Sequence, residues 1–346
     1  MTEAVRPRIA GGGYAFQTVR PASPMLRIRY RSGVAVDPHG FPDWLPYARA
    51  VVELPPVDGG HGVDEARVLD VLTANETLAG AGDPLFPRDH DSAGAAAPIP
   101  AGAAATPAGW AWAHLALTRR VALVPAELHG SFRHLGGVST GTADRSRRGL
   151  PVDGGSPPPL RFSERLADPA VRAVEQRLGV RLPPAYRDFL LRTNGGSPAR
   201  PAVHPAFGFL LDQPLFGTAR PDWLWDLAYA NAWFGDRLTA DWLAIGYVQG
   251  GLLAVKVRST DIDSVWYFDD DDPRATDADS AAEVCGRLLH RCADDFATFW
   301  RALREPPTGL RERARAGAAA GRATLVGDER LGSALPPARR APGRPA

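Results

Sequence analysis

Three of the eight histidines, His114, His129 and His134, fall within 21 residues of the stretch GWAWAHLALTRRVALVPAELHGSFRHLGGV (109–138). Neutral imidazole is the commonest protein metal ligand and titrates closest to physiological pH. A histidine group this tight points to a divalent-metal site or an acid/base site. Ala113 stands where a second adjacent histidine would complete the set.

The elements around these residues must bring them together. WAWAHLALTRRVALV reads as two short strands around Thr118–Arg120, and PAELHGSFRHLGG as a helix opened by Pro125 and stopped by Gly136–Gly137. A spacing of five puts His129 and His134 roughly 140° apart on a regular helix. Both can address one ion only if the helix loosens or ends before His134. Upstream, MLRIRYRSGVAVD predicts a strand ending at a turn. GFPDWLPYARAVVEL predicts a Pro-punctuated loop and an apolar run, and residues 63–75 a helix with acidic residues in its first turn.

At 346 residues two domains are expected, and 40 basic against 39 acidic side chains exclude a large uniform field for steering nucleic acid or membrane. Lys256 is the single lysine, a bias that matches the abundance of Ala, Gly and Pro rather than a selection of arginine for phosphate. No stretch of 18 apolar residues predicts a membrane span, and the N-terminus lacks the apolar core of a signal peptide. Cys285 and Cys292 share one face of a helix-like segment without a CxxC motif. They read as free thiols, which fits a cytoplasmic protein.

Segments of low apolar content divide the chain. Residues 1–24 are expected to be a flexible N-terminus and 25–140 an N-terminal unit with a structureless insert at 80–108. Residues 141–160 read as a linker, 161–305 as a second unit and 306–346 as a disordered, Arg-rich tail. In the second unit Asp168 and Pro169 open a helix that Gly179 ends. LPPAYRDFLLRTNGG repeats that design, with Asn194-Gly195-Gly196 as left-handed stop residues. The runs FGFLL, WLAIGYV, GLLAVKV and SVWYF predict strands, and 280–304 a final helix. Helices, then antiparallel strands, then a helix make the fold class α+β.

Asp269, Asp270, Asp271 and Asp272 are four adjacent carboxylates. They are open to reading as a solvated loop, as a phosphate-like surface toward a basic protein partner, or as a cation site. The aromatic residues of PDWLWDLAYANAWFGD are read as core packing. His39, His61, His90, His204 and His290 are read as turn, surface or packing residues.

The histidine stretch resembles the HNH/endonuclease VII nuclease toxins of bacterial polymorphic toxin systems, in the branch carrying a Trp-His-His motif. SGVAVDPHGFPDWLPY (32–47), DVLTAN (70–75), TPAGWAW (106–112) and LVPAELHGSFRHLGG are similar to that branch's motifs in the same order. The resemblance implies an HNH-like ββα-metal unit. Trp112 matches the motif tryptophan, Ala113 replaces the first histidine and His114 matches the second. His129 and His134 are implied as metal ligands and His114 as the general base, with the base and missing-ligand roles open to exchange. The cofactor implied is a divalent ion, Mg, Mn, Zn or Ni. In such sites a histidine deprotonates water while the ion stabilises charge on the phosphate.

VEQRLGVRLPPAYRDFLLRTNGG (174–196) resembles the SUKH superfamily, which includes Smi/Knr-type proteins, through Glu175, Gly179, Leu182-Pro183, Tyr186, Phe189 and Asn194-Gly195-Gly196. WLAIGYVQGG, SVWYFDDDD and FATFWRAL match its later strands and closing helix. The resemblance implies a protein-binding α+β immunity domain with an antiparallel sheet and flanking helices. The expected function is a bacterial toxin–immunity protein whose SUKH domain binds a nuclease toxin, fused to a degraded HNH-type domain. The alternative is an active metal-dependent endonuclease held inhibited by its tethered SUKH domain. The partner is thus a nuclease toxin or other protein, with nucleic acid as substrate if the nuclease unit is active, and no membrane. Asp269 to Asp272 are the candidate toxin-binding residues.

Overall fold

The structure is a computed structural model. It describes residues 4–10, 13–19, 27–29, 34–36, 41–56, 62–86, 105–130, 134, 136–138, 149–162, 164–220, 223–234, 237–270 and 280–327. The chain opens with two antiparallel hairpins, β1 (Ala4–Ala10) with β2 (Gly13–Val19), and β3 (Arg27–Arg29) with β4 (Val34–Val36). Residues 4–10 and 13–19 of the stretch expected to be a flexible N-terminus form this first hairpin. Its signal is a glycine run between AVRPRIA and YAFQTV, segments that carry β-branched and aromatic residues.

β5 (Ala50–Glu53) is followed by α1 (Val63–Gly80), which runs past the expected 63–75. Asp64 and Glu65 occupy its first turn, where carboxylates favour the positive end of the helix dipole. β6 (Trp110–His114) and β7 (Arg120–Pro125) form the expected hairpin, and α2 (Ala126–Gly130) follows directly.

The second unit begins with β8 (Leu160–Arg161), α3 (Asp168–Leu178) and α4 (Pro184–Thr193). Gly179 ends α3 at φ 65° and Asn194 ends α4 at φ 46°, both left-handed as their residue types predict. Asp168 does not cap α3. Ala167 is the N-cap, and the Asp168 carboxylate instead pairs with Arg172 and Arg187. β9 (Ser197–Pro198), β10 (Ala202–Val203), β11 (Leu210–Leu211) and α5 (Leu227–Trp233) lead to the long strands β12 (Trp242–Val248), β13 (Gly251–Lys256) and β14 (Val265–Asp269). The expected single helix over 280–304 is three elements, α6 (Ala281–Leu288), β15 (Leu289–Ala293) and α7 (Phe296–Ala302). LHRCA extends because it pairs with the open edge of β14, and the ladder outweighs its helical neighbours. Cys285 and Cys292 consequently sit in different elements, both as free thiols.

The tail then returns to the first unit. α8 (Thr308–Ala319) packs against α1, and β16 (Thr324–Leu325) pairs with β5. The expectation of disorder from 306 onward is therefore corrected for 308–327. Leu310, Ala314 and Ala323 are buried with Val68, Val71 and Leu72 of α1. Leu150 joins the same core with Val152 packed against it, while residues 153–156 of the expected linker are exposed. Of the expected insert, Phe86 and Thr106 are buried, while 87–104 lies outside the described residues.

Two four-stranded antiparallel sheets result, in the orders β16-β5-β7-β6 and β12-β13-β14-β15. The fold is α+β, as expected. The second unit is inserted between parts of the first, because β5, β6 and β7 precede it while α8 and β16 follow it. β6 is the free edge of its sheet, and the second unit lies against that edge through Gln213 and Gln249.

Candidate metal and nuclease site

α2 ends at Gly130, before His134, which meets the geometric condition for the two histidines to converge. The His129 and His134 rings lie edge to face with centroids 4.7 Å apart. Trp44 holds both, stacking on His129 at 5.3 Å and meeting His134 edge-on at 5.2 Å. The third member of the group comes from the second unit. Asp270 offers a carboxylate oxygen, and it and one nitrogen from each histidine all lie within 4.8 Å of one another. His134 and Asp270 are buried. Two imidazoles and one carboxylate are a fitting donor set for a divalent ion.

Ala113 and His114 point to opposite faces of β6, as neighbours on a strand must. The Ala113 methyl is buried with Trp44, Val124 and Leu128, so position 113 supplies no ligand. His114 Nε2 lies 3.1 Å from Asp70 Oδ2. Arg119 donates to both oxygens of Asp70, at 2.9 and 2.6 Å, and holds that carboxylate against the imidazole. A carboxylate-oriented histidine is the arrangement a general base needs. Gly137 does more than follow a helix. A Cβ there would lie 2.3 Å from the His114 carbonyl oxygen, so only glycine lets this loop close over the end of β6.

One cavity is lined by Trp44, Trp112, His114, His129 and His134 from the first unit, and by Gln249, Gly250 and Asp270 from the second. Arg67 of α1 also lines it and pairs with Asp269 at 3.5 Å. The space left for solvent is about 10 Å³, room for roughly one water centre. Asp270 is fixed from several sides. Its backbone N–H donates to the Gly250 carbonyl at 2.9 Å, and its carbonyl accepts the Gly136 N–H at 2.8 Å. The buried Arg237 pairs with its carboxylate and donates to the Gly130 carbonyl at 2.7 Å. Arg237 also lies 4.7 Å above the Phe268 ring centroid, a favourable place for a guanidinium.

A polar lattice joins the units beside this cavity. Trp112 Nε1 donates to Asn75 Oδ1 at 2.7 Å, and Gln249 Nε2 donates to Thr106 Oγ1 at 3.2 Å. On the edge of β6, Gln249 accepts the Trp112 backbone N–H and Gln213 accepts the Gly109 N–H. Asp212 accepts from the Thr106 N–H and from Gln249. Burial raises the Asp212 pKa, against the opposing effect of these hydrogen bonds. Two glycines make the approach possible. A Cβ on Gly130 would lie 2.4 Å from the Tyr247 ring, and one on Gly250 would lie 2.6 Å from Arg67 Nε.

Residues 102–144 match the family described as a nuclease of the HNH/ENDO VII superfamily with conserved WHH, and residues 166–300 match the SMI1 / KNR4 family (SUKH-1). The two parts of this chain resemble two different families. A WHH nuclease-type unit and a SUKH immunity-type unit thus share one polypeptide. No curated protein matches the chain.

Of the expected site residues, His114, His129, His134 and Asp270 line the one cavity, and Asp269 reaches Arg67 at its wall. Asp269 and Asp270 are buried, which corrects the solvated-loop alternative for those two. Asp271 and Asp272 lie outside the described residues, as do His39, His61 and His90. His204 is buried among Phe207, Phe209 and Phe299, and His290 lies 4.0 Å from Asp269. Trp225 and Phe234 are core residues, as expected. Sequence reasoning assigned no role to Asp70, Asn75 or Trp44, although all three sit in the quoted WHH-like motifs. Gln249 sits in the quoted SUKH-like WLAIGYVQGG, whereas Arg67 and Arg237 carried no comparable signal. None of the described helices is long and apolar enough to cross a membrane.

Proposed function

We propose that this chain is a self-immune toxin–immunity fusion whose SUKH unit closes the histidine site of its own WHH unit. The observation that carries the reading is the shared cavity, where Gln249, Gly250 and Asp270 fill the space in front of His114, His129 and His134. In the open form His114 takes a proton from water, with Asp70 and Arg119 holding its ring in place. His129 and His134 would hold a divalent ion, which would supply Lewis-acid stabilisation of the phosphate. In the closed form nucleic acid has no path to these groups.

The test is an opened full-length chain. Gly250→Val places the change on the SUKH side, where φ is +94° and an added side chain would meet Arg67 of α1. Cleavage of DNA or RNA with Mg, Mn, Zn or Ni by this variant, absent in the parent chain and abolished by adding His114→Ala, supports the reading.

Ala113 favours a second reading. A buried methyl in place of a motif histidine supports a degraded nuclease whose SUKH unit serves against separate WHH toxins. This reading expects no cleavage by the opened chain with any metal, together with capture of a purified WHH toxin domain.

A further inference from the structure

A carboxylate from the other unit stands beside the histidine pair. Asp270 is buried and its backbone is bonded on both sides, to Gly250 and Gly136. Arg237 binds one carboxylate oxygen, Oδ1. The carboxylate still offers an oxygen within 4.8 Å of a nitrogen of each histidine.

We infer that His129, His134 and Asp270 together bind one divalent ion of the Zn2+ or Co2+ class, so that the SUKH unit holds the WHH unit shut through the ion itself. Imidazole-rich donor sets select such borderline ions over Mg2+ and Ca2+, which prefer oxygen alone. Asp270 occupies a coordination position that a substrate would need, so the ion fastens the closed state as well as serving the open one. This rests on the metal reading of the histidine pair, and the part played by Asp270 is its own claim.

The full-length protein, stripped with EDTA, is titrated with Zn2+ by calorimetry and with Co2+ by visible absorption. One ion binds per chain, and His129→Ala and Asp270→Asn each weaken binding at least tenfold. Asp269→Asn, one residue away, leaves affinity within about threefold. Asp270→Asn leaves the buried Arg237 without its counter-charge, so Arg237→Met/Asp270→Asn is measured beside it and shows the same loss. If both Asp270 variants bind Zn2+ as tightly as the parent while His129→Ala does not, the ion belongs to the histidines alone and the inference is overturned with the metal reading intact. If the parent chain binds neither ion, both the inference and the metal reading fall.

Discussion

The side-chain carbonyl of Gln249 accepts the backbone N–H of Trp112 at 3.1 Å. That bond caps the open edge of one sheet with a residue from the turn between two strands of the other. An exposed strand edge invites pairing with any extended chain. Here the SUKH unit occupies it with side chains and needs no added strand. The family motif tryptophan is thereby held on both sides, its indole by Asn75 and its backbone by Gln249.

Gln249→Ala removes this cap and leaves the buried Trp112 N–H without its acceptor. The expected cost is about 1–3 kcal/mol of stability, read as a lower urea midpoint. Hydrogen exchange at Trp112 and Gly109 rises in the same variant. Unchanged exchange at Trp112 would show that the edge is protected by something other than Gln249.

If the opened Gly250→Val chain cleaves nucleic acid, His114→Ala in that background lowers the rate by about 10²–10⁴-fold, the range for loss of a general base. Asp70→Asn reduces it in the same direction by releasing the imidazole, and shifts the pH profile where a purely structural lesion would not. Equal rates with and without His114 would remove the base assignment.

Leu310→Ala tests the returning tail. Leu310 is 4% exposed and packs in the core that α1 builds with the first sheet. A buried leucine reduced to alanine costs about 2–5 kcal/mol. A chain ending at Pro307 loses α8 and β16 altogether, and a fragment of residues 1–145 lacks them too. Both are expected to show loose or absent packing of the first sheet by near-ultraviolet circular dichroism, while a native-like spectrum from residues 1–145 would show that the tail is dispensable.

His204 gives the chain an acid-sensitive core. Burial lowers its pKa from 6.5 to about 4. The unfolded chain takes up this proton first as pH falls. Stability is therefore full above about pH 6.5 and declines toward pH 4, by up to about 1.4 kcal/mol per pH unit. His204→Phe, stacked among Phe207, Phe209 and Phe299, is expected to flatten this slope between pH 6.5 and 4.5 in urea unfolding. An unaltered slope would place the acid sensitivity elsewhere.

Several local signals in the sequence were read correctly, although Asp168 as a helix cap and the β1–β2 hairpin were not. Gly179 and Asn194 end their helices because left-handed backbone favours those residue types, and neighbouring residues suffice to show it. The β6–β7 hairpin lies where its local pattern placed it, whereas the helix carrying His129 stops at Gly130 and not at the expected Gly136–Gly137. LHRCA was misread because its strand character comes from β14 and not from its own composition.

By itself the sequence determined the two family resemblances, the α+β class and the identity of the three histidines, since motifs and periodicities are properties of short segments. Only the tertiary structure decided that the tail completes the first sheet, that the SUKH unit is inserted within the WHH unit, and that Asp270 stands in front of His129 and His134. The physical reason is the same in each case. Leu310 against α1, Gln249 on Trp112 and Asp270 beside the histidines are contacts between residues far apart in the chain, made by burial and hydrogen-bond satisfaction that no local pattern encodes.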